Sequence, residues 1–253
     1  MNKINQILND WPPGTLITSE WLESKGVSRQ LSASYVKSGW FEKVSAGVYK
    51  RPKDEIAGAG VLYTLQVKNN MSVHIGGKTS LELQGYGHYI KMGPHQKVVL
   101  WKEPDLWLPT WFKNVEWDVS FEVRSAKLFD DYDESLNKKN VDGFLLNMSS
   151  PERAVMEYLY DIPKHENFDE AHYIMEGMTT LRPSVLQSLL ENCRSIKVKR
   201  LFLYMAETYN HSWLKYLEES TIGLGSGNRS IVKGGKLVKK YQIVVPEINR
   251  EDR

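Results

Sequence analysis

Apolar residues open the chain at helical spacing: Ile4, Ile7, Leu8 and Trp11 fall on one face of a 3.6-residue period. Pro12-Pro13-Gly14 stops that helix. Trp21 and Leu22 mark a second helix, Glu20 to Lys25, capped by Thr18 or Ser19. Gly26 stands where a helix end takes a left-handed residue, and Val27 is an apolar turn position. Ser28 then caps a third helix, Arg29 to Ser38, which Gly39 ends. Two short helices joined by a Gly-containing turn predict a helix-turn-helix. Trp40 to Val44 reads as a strand, Ser45-Ala46-Gly47 as a turn and Val48 to Arg51 as the returning strand, with Pro52 closing the unit. A hairpin directly behind the third helix is a wing. Residues 1–53 are therefore predicted to form a winged helix-turn-helix.

The pattern then changes. Residues 55–68 read as a helix, Val73 to Ile75 as a strand, and Gly76-Gly77-Lys78-Thr79 opens a helix carrying Leu81 and Leu83. Val98 to Trp101, residues 119–129 and Phe144 to Met148 read as strands. Ser149, with Glu152 three residues on and Pro151 between them, predicts a capping box that starts a helix over Glu152 to Tyr160. From Asp169 to Glu219 the chain reads as helical pieces broken at Arg182-Pro183, Asn192 and Asn210. The tail predicts a short strand at Ile231 to Lys233, a Gly234-Gly235 turn and a strand from Leu237 to Val245. Strands that give way to a helical block predict an α+β fold. It consists of an N-terminal winged helix-turn-helix followed by a larger mixed α/β C-terminal domain over 54–253, either single or in two lobes at about 54–148 and 149–253.

Composition narrows the setting. With 253 residues, 41% apolar and 25% charged, the chain has room for one large domain or two smaller ones. No stretch approaches the roughly 20 apolar residues of a membrane helix, and Met1 to Gln6 lacks the apolar core of a secretion signal. The lone cysteine, Cys193, excludes an internal disulfide and a four-thiolate zinc site. A reduced, cytoplasmic location without membrane contact is expected. The net charge of +2 hides an uneven spread: +4 over residues 1–53, −8 over 54–193 and +6 over 194–253. Basic ends suit nucleic acid, unless the acidic middle neutralises them within the fold.

With Leu31 and Tyr35 facing inward, Arg29, Gln30, Ala33 and Lys37 face outward from the third helix. Arg pairs bidentately with guanine and Gln with adenine in the major groove. Ser28, Ser32, Ser34 and Lys37 suit phosphate contacts, and Lys43, Lys50 and Arg51 on the wing could reach phosphates or the minor groove. The competing reading is a protein-contact module with these residues as its solvated face.

Gly77-Lys78-Thr79 resembles part of a phosphate loop, but the glycine required five residues before Gly77 is Ser72. A turn entering a helix is the expected role. The glycine-rich run Leu224 to Ser230 could hold an anion on its backbone amides. Arg229, Lys233, Lys236, Lys239 and Lys240 make its surroundings a candidate phosphate or RNA site; the alternative is a hairpin whose edge lysines deter aggregation. Trp101, Trp107, Trp111 and Trp117 are either core or a partner surface. His74 and His88 flank one helix without metal-ligand spacing to a carboxylate cluster, and His95, His165, His172 and His211 add no motif. Cys193 reads as a small core residue. No catalytic residue, no metal site and no cofactor is assigned.

The chain resembles the AbiEi family of antitoxins from type IV toxin–antitoxin systems associated with phage abortive infection. The resemblance rests on Val27 to Leu31, Ser38-Gly39-Trp40 and Gly47 to Arg51, then on His74 to Gly85, Ser150 to Ala154, Lys199 to Phe202, Leu224 to Gly227 and Gly234 to Leu237. It implies a winged helix that binds inverted repeats in its own promoter as a repressor. It also implies a C-terminal domain that counteracts a nucleotidyltransferase-like toxin without a stable complex. The protein would be a monomer in solution or a dimer on DNA. Two other functions stay open: an RNA- or nucleotide-binding effector acting through Gly225 to Lys240, and an enzyme that reverses the toxin's modification.

Overall fold

The computed structural model describes residues 3–87 and 96–247; His88 and His95 lie outside them. The fold is α+β, with a winged helix-turn-helix leading into a larger α/β part. The chain divides into two compact units. The first comprises residues 1–74, 91–124 and 138–147; the second comprises 75–90, 125–137 and 148–253.

The first unit begins with α1 (Lys3–Asp10), β1 (Ile17–Thr18), α2 (Ser19–Ser24), α3 (Arg29–Lys37), β2 (Glu42–Ser45) and β3 (Val48–Lys50). The predicted caps hold. Thr18 accepts from Trp21 N–H at the start of α2, and Ser28 accepts from Leu31 N–H at the start of α3. Gly26 and Gly39 follow their helices at φ +75° and +78°, conformations that cost a residue with a Cβ. β1 is an element that two apolar-flanked residues were too short to announce. It pairs with β3, making a three-stranded sheet in the order β1-β3-β2.

After the wing come α4 (Gly58–Tyr63) and a wider π-type turn over Thr64–Lys68, where a single helix was expected. Gly60 has a close-approach role: a Cβ there would lie 1.9 Å from the Gly14 carbonyl oxygen. Thr64 donates to the Gly60 carbonyl and accepts from Leu16 N–H, tying the segment after the wing to the start of the winged helix.

β4 (Val73–Ile75), β5 (Lys97–Lys102), β6 (Ser120–Ser125), β7 (Leu136–Val141) and β8 (Phe144–Ser149) form a five-stranded sheet in the order β6-β5-β4-β8-β7. β4 and β8 run parallel, with Ile75 opposite Met148. β7 carries Asn137, Lys138, Lys139 and Asn140, so its polar pattern gave no strand signal. α5 (Gly77–Leu83) follows β4, and α6 (Thr110–Asn114) lies between β5 and β6.

The second unit is mainly helical: α7 (Pro151–Asp161), α8 (Phe168–Gly177), α9 (Pro183–Asn192) and α10 (Ile196–Thr208). The α7 cap is displaced by one residue from expectation. Ser150 is the N-cap, accepting from Arg153 N–H, and Pro151 takes the first helical position. The Ser149 hydroxyl points elsewhere, into a buried polar network. The tail forms β9 (Arg229–Ser230), β10 (Lys236–Val238) and β11 (Ile243–Val245). The single strand expected over Leu237 to Val245 is two strands, because the chain turns at Gln242, φ +49°.

His211 supplies a pH-dependent element of this unit. It is buried, donates from Nε2 to the Met175 carbonyl at 2.7 Å, and stacks on Trp213 at 4.9 Å. Burial lowers its pKa, partly opposed by the bond to Met175. The unfolded chain then takes up a proton that the folded chain resists. Stability is full above about pH 6.5 and falls as the pH drops below it. Urea midpoints measured at about pH 7.5 and about pH 5.5 should therefore differ less in His211→Gln than in the parent protein.

Candidate nucleic-acid interface

The winged-helix core is built from Ile4, Ile7, Trp11, Ile17, Leu22, Val27 and Phe41, with Leu31, Tyr35 and Val36 of α3 packed on it. Phe41 meets Trp11 and Tyr35 edge-on at 5.4 and 5.1 Å. Three inward positions on α3 fix which face is left for a partner. Arg29, Gln30, Ala33, Ser34 and Lys37 are exposed. Arg29 pairs with Glu23 at 3.0 Å, and both side chains are solvated. Such a pair contributes little and can exchange for another anion. Ser28 is exposed and caps α3, and Lys43 is exposed on β2.

Three expected contacts are placed differently. Ser32 is 1% exposed and donates to the Ser28 carbonyl, so it belongs to the inner side of α3 rather than to a phosphate-binding face. Arg51 turns inward. Its guanidinium donates to the carbonyls of Leu8 and Trp11 and lies 5.6 Å from the Trp11 ring centre. Those carbonyls belong to the end of α1, where backbone acceptors lack helical partners, so Arg51 ties α1 to the wing. Lys50 is bound to the Asp54 carbonyl at 3.0 Å and to Glu42 at 3.1 Å. The wing therefore offers Lys43, and the α3 face offers Arg29, Gln30 and Lys37. Trp40, read as the first residue of a strand, instead precedes β2 and is 45% exposed beside the end of α3.

The other basic cluster has a different construction. The glycine-rich loop wraps a guanidinium: Arg200 donates to the carbonyls of Leu224, Gly225, Gly227 and Gln242 and to the Gln242 side chain, at 2.6–3.4 Å. The loop turns its carbonyls inward onto a cation, the opposite polarity to amides gathered around a phosphate. Arg229, Lys233, Lys236 and Lys239 are exposed. Lys240 is paired with Glu207 at 2.8 Å, which raises its pKa. Arg200 was not identified from the sequence as the loop's anchor. Its signal was a basic residue inside the apolar stretch Val198 to Leu203.

The start of α5 is occupied by protein groups. Gly77 N–H donates to Glu157 at 2.9 Å and Lys78 pairs with Glu170 at 2.6 Å, as a turn entering a helix requires. Trp101 and Trp111 are buried, Trp117 is half-buried, and Trp107 is exposed. Among the described residues, no group of three or more His, Cys, Asp or Glu could hold a metal ion, and no helix is long and apolar enough to cross a membrane.

Three helices and a three-stranded sheet with one exposed polar helix face, leading into an α/β body, define the class as a winged-helix protein. A family model described as the transcriptional regulator AbiEi antitoxin N-terminal domain matches residues 1–92, and one described as the transcriptional regulator AbiEi antitoxin of the type IV TA system matches residues 95–246. The chain belongs to this AbiEi family of regulators and antitoxins of type IV toxin–antitoxin systems. A comparison with curated proteins gives no match. Among solved structures, the RV2827C protein from Mycobacterium tuberculosis is similar in fold, with a TM-score of 0.58 and 14% identity over 95% of this chain and 89% of that one.

Proposed function

We propose that this antitoxin is also a DNA-binding autorepressor, with residues 1–53 as its DNA-binding domain and residues 54–253 as its antitoxin domain. The observation that carries the proposal is the α3 surface: Leu31, Tyr35 and Val36 pack inward while Arg29, Gln30, Ala33 and Lys37 are exposed. α3 enters the major groove, with Gln30 and Arg29 at base edges and Ser28, Ser34 and Lys37 toward phosphates. Lys43 on the wing reaches the adjacent backbone. Two copies, whether monomeric or paired beforehand, occupy an inverted repeat in the promoter. The protein acts in the cytoplasm and counteracts a nucleotidyltransferase-like toxin without forming a stable complex.

Binding to its own upstream DNA, followed across a salt series, tests this reading. Lys37→Ala should weaken binding to all sequences alike and reduce the salt slope by about 1. Gln30→Ala should cost about 1–3 kcal/mol of discrimination at one base pair. The double variant should lose repression yet still protect against toxin when expressed from an unrelated promoter. Binding indifferent to both substitutions would reassign α3 to protein contact.

A further inference from the structure

A pocket of about 890 Å3 lies within the first unit, between the loop after β5, α6 and the start of β6. That volume is in the range of small-molecule sites. Its walls are aromatic: Trp107, Phe112, Trp117 and Phe121 line it. Phe112 and Phe121 pack at 5.0 Å, and the Trp117 indole N–H donates to the Phe112 carbonyl at 3.0 Å, so those rings are fixed. Trp107 is different. It is 84% exposed, and the Lys113 ammonium lies 5.9 Å from its ring centre.

Two cations and two carboxylates share the lining: Lys102 and Lys113, Glu116 and Asp118. Burial and then the charge of Lys113 lower the pKa of Lys102, with Asp105 opposing. The Lys102 ammonium donates to the Glu103 carbonyl at 3.0 Å and the Pro104 carbonyl at 3.3 Å, which holds it at the pocket wall.

We propose that this pocket binds a nucleobase bearing a phosphate, either as a free nucleotide or as an unpaired nucleotide of a strand. The base stacks on Trp107, as bases do on exposed aromatic side chains. Lys102 and Lys113 take the phosphate. Glu116 and Asp118 accept from the N–H edge of the base, a role a purely apolar groove could not provide. This site is separate from α3 and does not rest on operator binding.

Isothermal titration calorimetry of the full chain with AMP, GMP, CMP, UMP and a single-stranded trinucleotide tests the proposal. At least one probe should bind saturably with a Kd below about 1 mM. Trp107→Ala should weaken that binding about tenfold, a usual loss for one stacked base. Lys113→Ala should weaken it severalfold and flatten its salt dependence. Both altered side chains are exposed, so the fold should survive. Lys139→Ala on β7, outside the pocket lining, should change nothing. Binding of the trinucleotide alone, with the same loss in Trp107→Ala, supports the proposal with a strand as the source. Absence of binding at about 5 mM of every probe overturns it, as does binding indifferent to Trp107→Ala. A proline-rich peptide that binds through Trp107 where no nucleotide does would also overturn it and make the pocket a peptide groove.

Discussion

Replacing Glu157 with alanine is expected to destabilise the protein by about 3–5 kcal/mol, the cost of stranding a buried charge. Glu157 is 0% exposed. One carboxylate oxygen accepts from Arg153 Nε at 2.8 Å; the other accepts from Gly77 N–H at 2.9 Å and the Ser149 hydroxyl at 2.8 Å. Arg153 is itself only 4% exposed. Its Nη1 reaches the carbonyls of Tyr132 at 2.5 Å and Glu134 at 2.6 Å, and its guanidinium lies 5.0 Å from the Phe129 ring centre. Without Glu157 that cation keeps its carbonyls but loses its counter-charge, and two further donors lose their acceptor. A domain with about 5–15 kcal/mol in total would forfeit a large share. Glu157→Gln preserves the shape but turns an amide NH2 toward either the Arg153 Nε–H or the Gly77 N–H, both donors only, so it should recover only part of the loss. Urea unfolding of the two variants decides the matter. A loss under about 1 kcal/mol in Glu157→Ala would show that the network is not a stabilising centre of the second unit.

Arg200→Met should cost about 2–4 kcal/mol and release the glycine-rich loop. The substitution keeps apolar volume within α10 but removes the donors satisfying the carbonyls of Leu224, Gly225, Gly227 and Gln242. Burial disfavours the charge on Arg200, and the nearby Arg229 adds to this, yet arginine remains charged in proteins. Carbonyl dipoles rather than a carboxylate hold it. Lysine has only three donors on one nitrogen and cannot reproduce the fork, so Arg200→Lys should rescue incompletely. Hydrogen exchange and limited proteolysis across residues 223–242 provide the local readout. Protection there that survives Arg200→Met would mean that β9, β10 and β11 hold the loop unaided. The exposed Arg229, Lys233, Lys236 and Lys239 hang on this anchor, so any RNA contact through the tail would fall with it.

By itself the sequence determined the winged helix and its outward face. Ile4, Ile7 and Trp11, the caps at Thr18 and Ser28, and the glycines at 26 and 39 are local signals, each acting within one or two helical turns. The breaks in the helical block at Pro183 and Asn192 were legible for the same reason. Tertiary structure alone decided where charged and polar side chains went. Arg51 reads as a wing cation until the end of α1 offers it two carbonyls, and Ser32 reads as exposed until α3 is rotated against its core. Glu157 and Arg200 lie in apolar runs whose periodicity marks burial but names no partner; their partners are 80 residues away at Gly77 and 42 away at Gln242. β7 escaped notice because its pairing with β8, not its composition, makes it a strand. Local periodicity records which face avoids water. Which buried charge meets which acceptor depends on long-range packing, because a charge cannot stay buried without that match.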